Sequence, residues 1–375
     1  MKIAFCLYKY FPYGGLQRDF MRIAKECVDR GHQVTAYCLK WRGEKPDWLE
    51  VQTAPVKGFS SPLRYRRFYH WLSDQLAAKP VDVVFGFNKM PGLDIYYCAD
   101  PCFENKARNL RAWWYKYTPR YRHFSRYEQA VFKPGGKTQI LMISEVQVAL
   151  FKKFYGTEDG RMEMLPPGIS RDRRAPENAG AVRREFRREF ALADSDLLLL
   201  QVGSGFRTKG VDRSIRALAS LPEGIRSKTQ LFVIGEDDPR EFLMQAKAQG
   251  MSARITFFQG RDDIPRFLQG ADLLVHPAYA ENTGTVLLEA VVAGLPVLVT
   301  DVCGYARYVE EAGAGVLVPT PFSQEKFNQQ LCEMLEADRS LWKKKALKYA
   351  DSADIYDMPL RVAEYIEQFA PNAKS

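Results

Sequence analysis

Histidine is scarce in this chain of 375 residues, with four in all, and its seven cysteines are scattered: Cys6, Cys27, Cys38, Cys98, Cys102, Cys303 and Cys332. Only Cys98 and Cys102 lie close together, and no histidine or second cysteine pair completes a zinc set. Buried or idle thiols are therefore expected. No run approaches the roughly 20 apolar residues that span a bilayer. The opening Met1–Leu7 passes straight into a strand-like run, too short for a secretory signal and without a small-residue cleavage site. A cytoplasmic location is the expectation. Internal repeats and low-complexity stretches are absent too.

What is present divides the chain. One hydrophobic core is a poor fit to this length, and two domains are expected. The net charge of +9 is unevenly placed: through Gly168 there are 27 basic against 16 acidic residues, and beyond it 27 against 29. The first half should therefore meet an anionic partner, whether phosphorylated substrate, acidic membrane or nucleic acid. Paired prolines and a glycine in Leu165-Pro166-Pro167-Gly168-Ile169 stop helix and strand alike and mark the linker. The expected domains are 1–168, 169–355 and a terminal helical segment, 356–375.

Both halves alternate strand and helix. Lys2–Tyr8, a loop ending at Gly14-Gly15, and apolar residues at helical spacing (Leu16, Phe20, Ile23, Ala24, Cys27) precede a strand over Gln33–Leu39. Further strands are read at Val81–Gly86, Ile95–Ala99, Thr138–Ser144, Leu197–Val202, Leu231–Gly235, Ile255–Phe258, Leu273–Val275, Val297–Thr300 and Val316–Val318. Helices are read at Glu145–Tyr155, Phe322–Leu335 and Pro359–Phe369. This is the rhythm of α/β doubly wound sheets, whose ligands sit at the carboxyl ends of the strands. Gly14-Gly15 lacks the full dinucleotide fingerprint, and the loop Gly203–Gly210 lacks the Gly-Lys-Ser/Thr ending of a Walker loop.

The stretch Glu281–Ala290, followed by Gly294-Leu295-Pro296-Val297, stands out. Two carboxylates eight positions apart flank Asn282-Thr283-Gly284-Thr285 at the head of an apolar helical run. Thr283 or Thr285 is expected to cap that helix, and Gly284 to admit a ligand close to the backbone. The free N–H groups and positive dipole end would then face a phosphate. Glu289, inside the helix, is placed to accept hydrogen bonds from hydroxyls such as those of a ribose. An ordinary capped core helix is the competing reading.

A second concentration is Phe103–Arg126, where Lys106, Arg108, Arg111, Lys116, Arg120, Arg122 and Arg126 face one acid, Glu104. Phe103, Trp113, Trp114, Tyr115, Tyr117, Tyr121 and Phe124 are interleaved with them. Three readings compete: an interfacial membrane anchor, a single-stranded nucleic-acid platform, and a solvated helix with core aromatics. Asp100 ends the strand before this segment, where a carboxylate could orient or deprotonate a hydroxyl or simply cap the loop.

Glu-x-x-Gly-x-x-x-x-Glu-Ala before Gly-x-Pro-Val resembles the donor motif of retaining GT-B glycosyltransferases of family 4. The runs Tyr8–Phe20 and Gly86–Asp94 look like those of lipopolysaccharide core glucosyltransferases that extend the inner-core heptose. That resemblance implies two Rossmann-like domains facing across a cleft, with a uridine diphosphate sugar on the second and the acceptor on the first. It implies that Arg207 and Lys209 put two fixed cations on the leaving diphosphate in place of a metal, so no cofactor is expected. Glu289 would bind the ribose and Glu281 hydroxyls of the transferred hexose. Asn282, Thr283, Gly284 and Thr285 would line the phosphate and sugar side, and Arg261 to Ile264 would lie against the uracil.

The same resemblance puts Gly15 near the diphosphate and Asp19 near the transferred sugar, against the alternative of a solvated charge in the helix's first turn. Arg173 either reaches the cleft or is solvated. Family members with a histidine near position 100 contrast with Asp100 here. A lipid-linked acceptor favours the membrane reading of Phe103–Arg126 over nucleic acid, and places the protein peripherally on the inner face of the cytoplasmic membrane. Glucose is the family's usual hexose, yet the amide and hydroxyl of Asn282-Thr283 would also suit an N-acetylhexosamine. A non-catalytic binding protein on a degenerate scaffold should have lost Lys209, Glu281 or Glu289, and all three are present.

Overall fold

In the computed structural model, which describes residues 1–12, 14–109 and 111–372, the chain forms two compact units, Met1–Gly168 with Asp357–Ser375 and Ile169–Tyr356. Tyr13, in the first of the N-terminal runs, lies outside the described residues. Each unit is built on one wholly parallel sheet. The first sheet has the order β3-β2-β1-β4-β5-β6-β7, from Lys2–Tyr10 (β1), Gln33–Trp41 (β2), Glu50–Thr53 (β3), Val83–Gly86 (β4), Ile95–Cys98 (β5), Gln139–Met142 (β6) and Met162–Met164 (β7). The second has the order β10-β9-β8-β11-β12-β13, from Leu197–Val202 (β8), Thr229–Ile234 (β9), Ile255–Phe258 (β10), Leu273–His276 (β11), Val297–Thr300 (β12) and Gly315–Val318 (β13). Both are Rossmann-like.

The central strands are fully buried because helices cover both faces, so they read as unbroken apolar runs rather than alternating ones. Phe5, Ile3, Phe20 and Ile23 belong to one core layer of the first unit, and Ala4, Cys6, Phe68 and Tyr96 to the opposite one. Leu198, Leu200, Leu287 and Leu288 form one layer of the second unit; Leu197, Leu199, Ile215 and Phe327 form the other. Strand order reverses between β1 and β4, where Ile3 is flanked by Val34 and Val83, and between β8 and β11, where Leu273 pairs with Leu199. Loops leaving adjacent strands part in opposite directions there, which opens the crevice at their carboxyl ends.

The terminal helix Met358–Asn372 belongs to the first unit. Met358, Val362, Ala363 and Ile366 complete the core layer that contains Ile3 and Phe5. Glu367 receives Arg30 Nε at 2.9 Å and Nη2 at 2.6 Å, with His32 Nε2 at 2.8 Å, and these partners pull its carboxyl down to about 2. Ile366 is fully buried. Ile366→Ala is expected to destabilise the first unit by about 2–5 kcal/mol through lost transfer energy and the cavity left behind. Denaturant unfolding checks this.

The helix Thr285–Val292 differs from expectation at its start. Neither Thr283 nor Thr285 caps it; Gly284 holds the cap position with φ +83° and no side-chain hydrogen bond. The left-handed backbone, which glycine adopts without steric cost, replaces the hydroxyl cap. Asp19 also shifts. The helix Gly15–Asp29 begins at Gly15, so Asp19 falls in its second turn rather than its first.

Candidate active site

The second unit gathers its polar side chains at the β8–β11 switch point. Lys209 ends the loop after β8. Its backbone N–H donates to Gly205 O at 3.0 Å, and its carbonyl accepts from the buried Gln201 amide at 2.8 Å. Gly210 follows at φ +74°, and a Cβ there would collide with the Pro277 carbonyl oxygen. Glycine at 210 therefore lets the β8 and β11 loops touch, which brings Lys209 to Glu281. The Lys209 ammonium is ion-paired with Glu281 Oε2, both side chains mostly buried. Burial pulls Lys209 below the usual lysine value.

Beneath the pair lies His276, the last residue of β11. Burial, then the Lys209 charge, push its pKa down to about 3, so the ring is neutral. Its Nε2 is 3.3 Å from Glu281 Oε2. A neutral imidazole meets a carboxylate oxygen favourably only with its proton on that nitrogen, so His276 donates and orients Glu281. The other oxygen, Oε1, accepts from Asn282 N at 3.1 Å. Glu281 also forms a parallel bridge with Cys303, and Thr283 O accepts from Tyr305 N at 2.7 Å. The 281–284 loop is thus pinned on both sides. Arg213 fixes the remaining wall. It donates to Pro277 O at 3.1 Å and Ala278 O at 3.0 Å, with its guanidinium between the Tyr279 and Phe322 rings at 3.5 and 3.6 Å.

Gly284 and Thr285 present the first turn of a helix buried along most of its length. Glu289, one turn in, is 5% exposed. Arg173, from the short turn Arg171–Arg173, brings its Nε to 3.8 Å from Glu289 Oε1. Arg173 is therefore not a solvated surface charge. Its buried Nε and Nη1 have no hydrogen-bond partner among the described residues, and such donors are costly unless a bound group satisfies them.

Other expected residues sit apart. Arg207 is 75% exposed and pairs with Glu241, so the Arg207–Lys209 pair is split. Arg261 makes two bonds to Asp263, at 2.6 and 2.8 Å, and lies 4.9 Å from the Phe267 ring; Ile264 opens the next helix. The neighbouring acids Asp237 and Asp238 are engaged locally: Asp237 accepts from Phe206 N of the loop after β8 at 2.8 Å, and Asp238 binds Arg240 at 2.8 Å.

In the first unit, Gly15 is exposed and Asp19 accepts from the buried Tyr97 hydroxyl at 2.8 Å, which removes the solvated-charge alternative. Asp100 lines a cavity of about 440 Å³. Burial raises its carboxyl above the usual range, opposed by Lys89 and an Asn88 hydrogen bond. Burial works against the Lys89 ammonium, but Glu128 and Asp100 outweigh it and hold it above the ordinary lysine value. Glu128, fully buried, also accepts from Phe103 N at 2.7 Å and Glu104 N at 2.9 Å, tying the helix Phe103–Asn109 to the helix Pro119–Phe132.

The basic, aromatic segment divides in two. Phe103, Tyr115, Tyr121 and Phe124 pack on one another, with ring centroids 5.5–6.4 Å apart. Trp113, Trp114 and Tyr117 are exposed, Trp113 to 78%, on a short 3-10 turn, and all seven bases of the segment are exposed. Among the described residues no helix is long and apolar enough to cross a membrane.

Two Rossmann-like units, the second carrying paired glutamates about a helix start and a lysine between strand mouths, define the GT-B class of glycosyltransferases. The chain belongs to glycosyltransferase family 4. The model described as Glycosyltransferase Family 4 matches residues 13–173, and that described as Glycosyl transferases group 1 matches 182–352. Within that class it is similar to the lipopolysaccharide glucosyltransferase WaaG of Escherichia coli K12, at 47% identity over 98% of both chains. A crystal structure of WaaG, a glycosyltransferase involved in lipopolysaccharide biosynthesis, superposes with a TM-score of 0.93 over 97% of this chain and 99% of that one. Anabaena HepE in complex with UDP-glucose shares the fold alone, with a TM-score of 0.75 at 17% identity over 99% and 100% of the two chains.

His276, Arg213 and Glu128 had no signal in the sequence. Arg213 and Glu128 work through partners distant in the chain, and His276 through Glu281, whose own partner Lys209 is distant.

Proposed function

We propose that this glycosyltransferase moves a hexose from a uridine diphosphate sugar to an inner-core heptose of lipopolysaccharide, with retention of anomeric configuration, at a membrane surface and without a metal. The observation that carries the reading is Lys209 held against Glu281 at the start of the helix Thr285–Val292. An ammonium beside free helix N–H groups is a diphosphate seat that meets the charge growing on a leaving phosphate. Glu281, oriented by His276, receives hydroxyls of the hexose. Glu289 receives those of the ribose, with Arg173 beside it. Arg207 joins the diphosphate by leaving Glu241. The acceptor hydroxyl attacks from the face the phosphate departs, and that phosphate takes the proton. The similarity to a lipopolysaccharide glucosyltransferase supports the acceptor class.

For the transferred sugar, glucose follows that relative, while Asn282 and Thr283 favour an acetamido group. A buried polar group left unmatched costs about 1–3 kcal/mol, enough to select between donors. The test is a panel of uridine diphosphate hexoses and their N-acetyl forms on delipidated core oligosaccharide, with and without EDTA, the product's anomeric coupling read by NMR. One donor class should dominate, with retention and with activity unchanged by the chelator. Abolition by EDTA with rescue by manganese would remove the cation role given to Lys209.

A further inference from the structure

The 440 Å³ cavity lies wholly within the first unit and falls in the size range of small-molecule sites, roughly 300–1,000 Å³. Its lining is chemically divided. One wall is the Tyr8 ring stacked on Tyr65, centroids 3.9 Å apart and nearly parallel. The polar groups are Asp100 and Asn88, the latter fixed by accepting Tyr8 N at 2.8 Å. The exposed part of the lining carries Lys106, Arg111 and Arg120.

Arg111 and Arg120 have no carboxylate partner among the described residues, and Lys106 is in no ion pair there, acting on Asp100 only through its charge. The nearby acids Glu104 and Glu128 are engaged elsewhere. Glu104 binds Arg108 Nε at 2.6 Å and the Tyr121 hydroxyl at 2.9 Å, while Glu128 is ion-paired with Lys89 and also accepts from Phe103 N, Glu104 N, the Tyr155 hydroxyl and the Cys102 thiol. Arg111 lies over the Tyr115 ring at 5.7 Å and Arg120 over Phe124 at 5.2 Å. A guanidinium held by its flat face keeps its N–H groups free for oxygen atoms around its edge. With Lys89 neutralised by Glu128, the cavity's own charge is positive, set against Asp100 alone. Such a lining draws in anions.

We infer that this cavity recognises an anionic saccharide. A sugar ring lies on the Tyr8–Tyr65 stack, its hydroxyls meet Asp100 and Asn88, and its phosphate or carboxylate groups meet Lys106, Arg111 and Arg120. The apolar C–H face of a pyranose suits the electron-rich face of an aromatic ring, and an arginine fork suits the paired oxygens of either anion. This deepens the transferase reading, on which it rests, by assigning the charge that the acceptor must carry. It also splits the basic segment: Lys106, Arg111 and Arg120 serve the saccharide, and Lys116, Arg122 and Arg126 remain for other contacts.

The test titrates wild type, Arg111→Ala/Arg120→Ala and Tyr65→Leu with delipidated core oligosaccharide in three forms: intact, dephosphorylated, and carboxyl-reduced. UDP is titrated separately, and vesicle binding is measured alongside. Each removed cation is expected to raise Kd and KM for the intact oligosaccharide about tenfold, with UDP affinity unchanged. Tyr65→Leu should weaken binding without altering its salt dependence. Whichever chemical treatment erases the difference between wild type and the double variant identifies phosphate or carboxylate as the group read. Unchanged oligosaccharide affinity in the double variant, with only vesicle binding lost, overturns the inference and gives these cations to the membrane. Wild type that binds UDP but no oligosaccharide overturns it while leaving the donor reading in place. Failure of UDP binding strikes that reading instead, and the oligosaccharide titration still reports on the cavity.

Discussion

Lys209→Ala is expected to lower kcat about 10²–10³-fold, the loss typical when one fixed donor to a developing oxyanion is removed. Negative charge on the diphosphate rises as the glycosidic bond breaks, so the ammonium matters more in the transition state than in the bound complex. The effect should therefore fall on kcat rather than on UDP affinity. The fold should persist, because Lys209 anchors nothing in the core; the loop is held by its backbone through Gly205 and Gln201. Arg207→Ala should cost less, since that side chain is exposed and already shared with Glu241.

The pH profile gives a second reading of the same variant. His276 is held down to about 3 by burial first and by Lys209 second. Removing the lysine takes away one of these depressing influences and leaves Glu281 facing the imidazole alone. The folded-state pKa of His276 then rises, while burial still keeps it low. A protonated His276 would restore a cation near Glu281 only on the acid side. The variant's residual kcat is thus expected to climb as pH falls, where wild type shows no such limb. Near-wild-type turnover for Lys209→Ala at neutral pH would sink the assignment of this lysine to the leaving group.

How far such a site is readable from sequence depends on how local its parts are. Leu197–Val202 and Val297–Thr300 are strands over the residues expected, because a parallel strand buried on both faces is an apolar run with clear ends; Ile255–Phe258 is also a strand over the residues expected, although it is a part-exposed edge strand. Glu145–Tyr155 is likewise a helix over the residues expected, closed by Gly156 in the left-handed region. Glu50–Thr53 and Met162–Met164 escaped notice, being short, part-exposed strands at the sheet edges. The Glu281–Glu289 spacing is legible because one loop and one helix carry it. His276 is not, since Glu281 lies only five residues on but the Lys209 that completes the group arrives through β11 pairing with β8, more than 70 residues earlier in the chain. Arg213 reads as one more charge on a helix until the fold lays it between Tyr279 and Phe322. The misplaced threonine cap has a similar lesson: a hydroxyl next to a helix start signals a cap only where the backbone leaves room for the hydroxyl to fold back, and the left-handed Gly284 takes that place.

Removing Lys116, Arg122 and Arg126 together is expected to weaken binding to vesicles rich in anionic lipid by about 3 kcal/mol, or roughly a hundredfold, at about 1 kcal/mol for each base near a charged surface. None of the three has a carboxylate partner among the described residues, and all are exposed, so their charge is not already spent within the fold. Trp113 and Trp114 project from the same short turn as Lys116. Indole rings favour the headgroup region, where one edge meets acyl chains and the N–H meets water. Trp113→Ala/Trp114→Ala should therefore weaken binding to neutral and anionic vesicles alike, whereas the triple charge variant should lose only the anionic preference and its steep salt dependence. Sedimentation with vesicles of both compositions at two salt concentrations separates these contributions. Equal binding of wild type to neutral and anionic vesicles would refute the electrostatic part. Tight salt-dependent binding to single-stranded oligonucleotide, with vesicles ignored, would hand the surface to nucleic acid, whose bases stack on exposed aromatics in the same way.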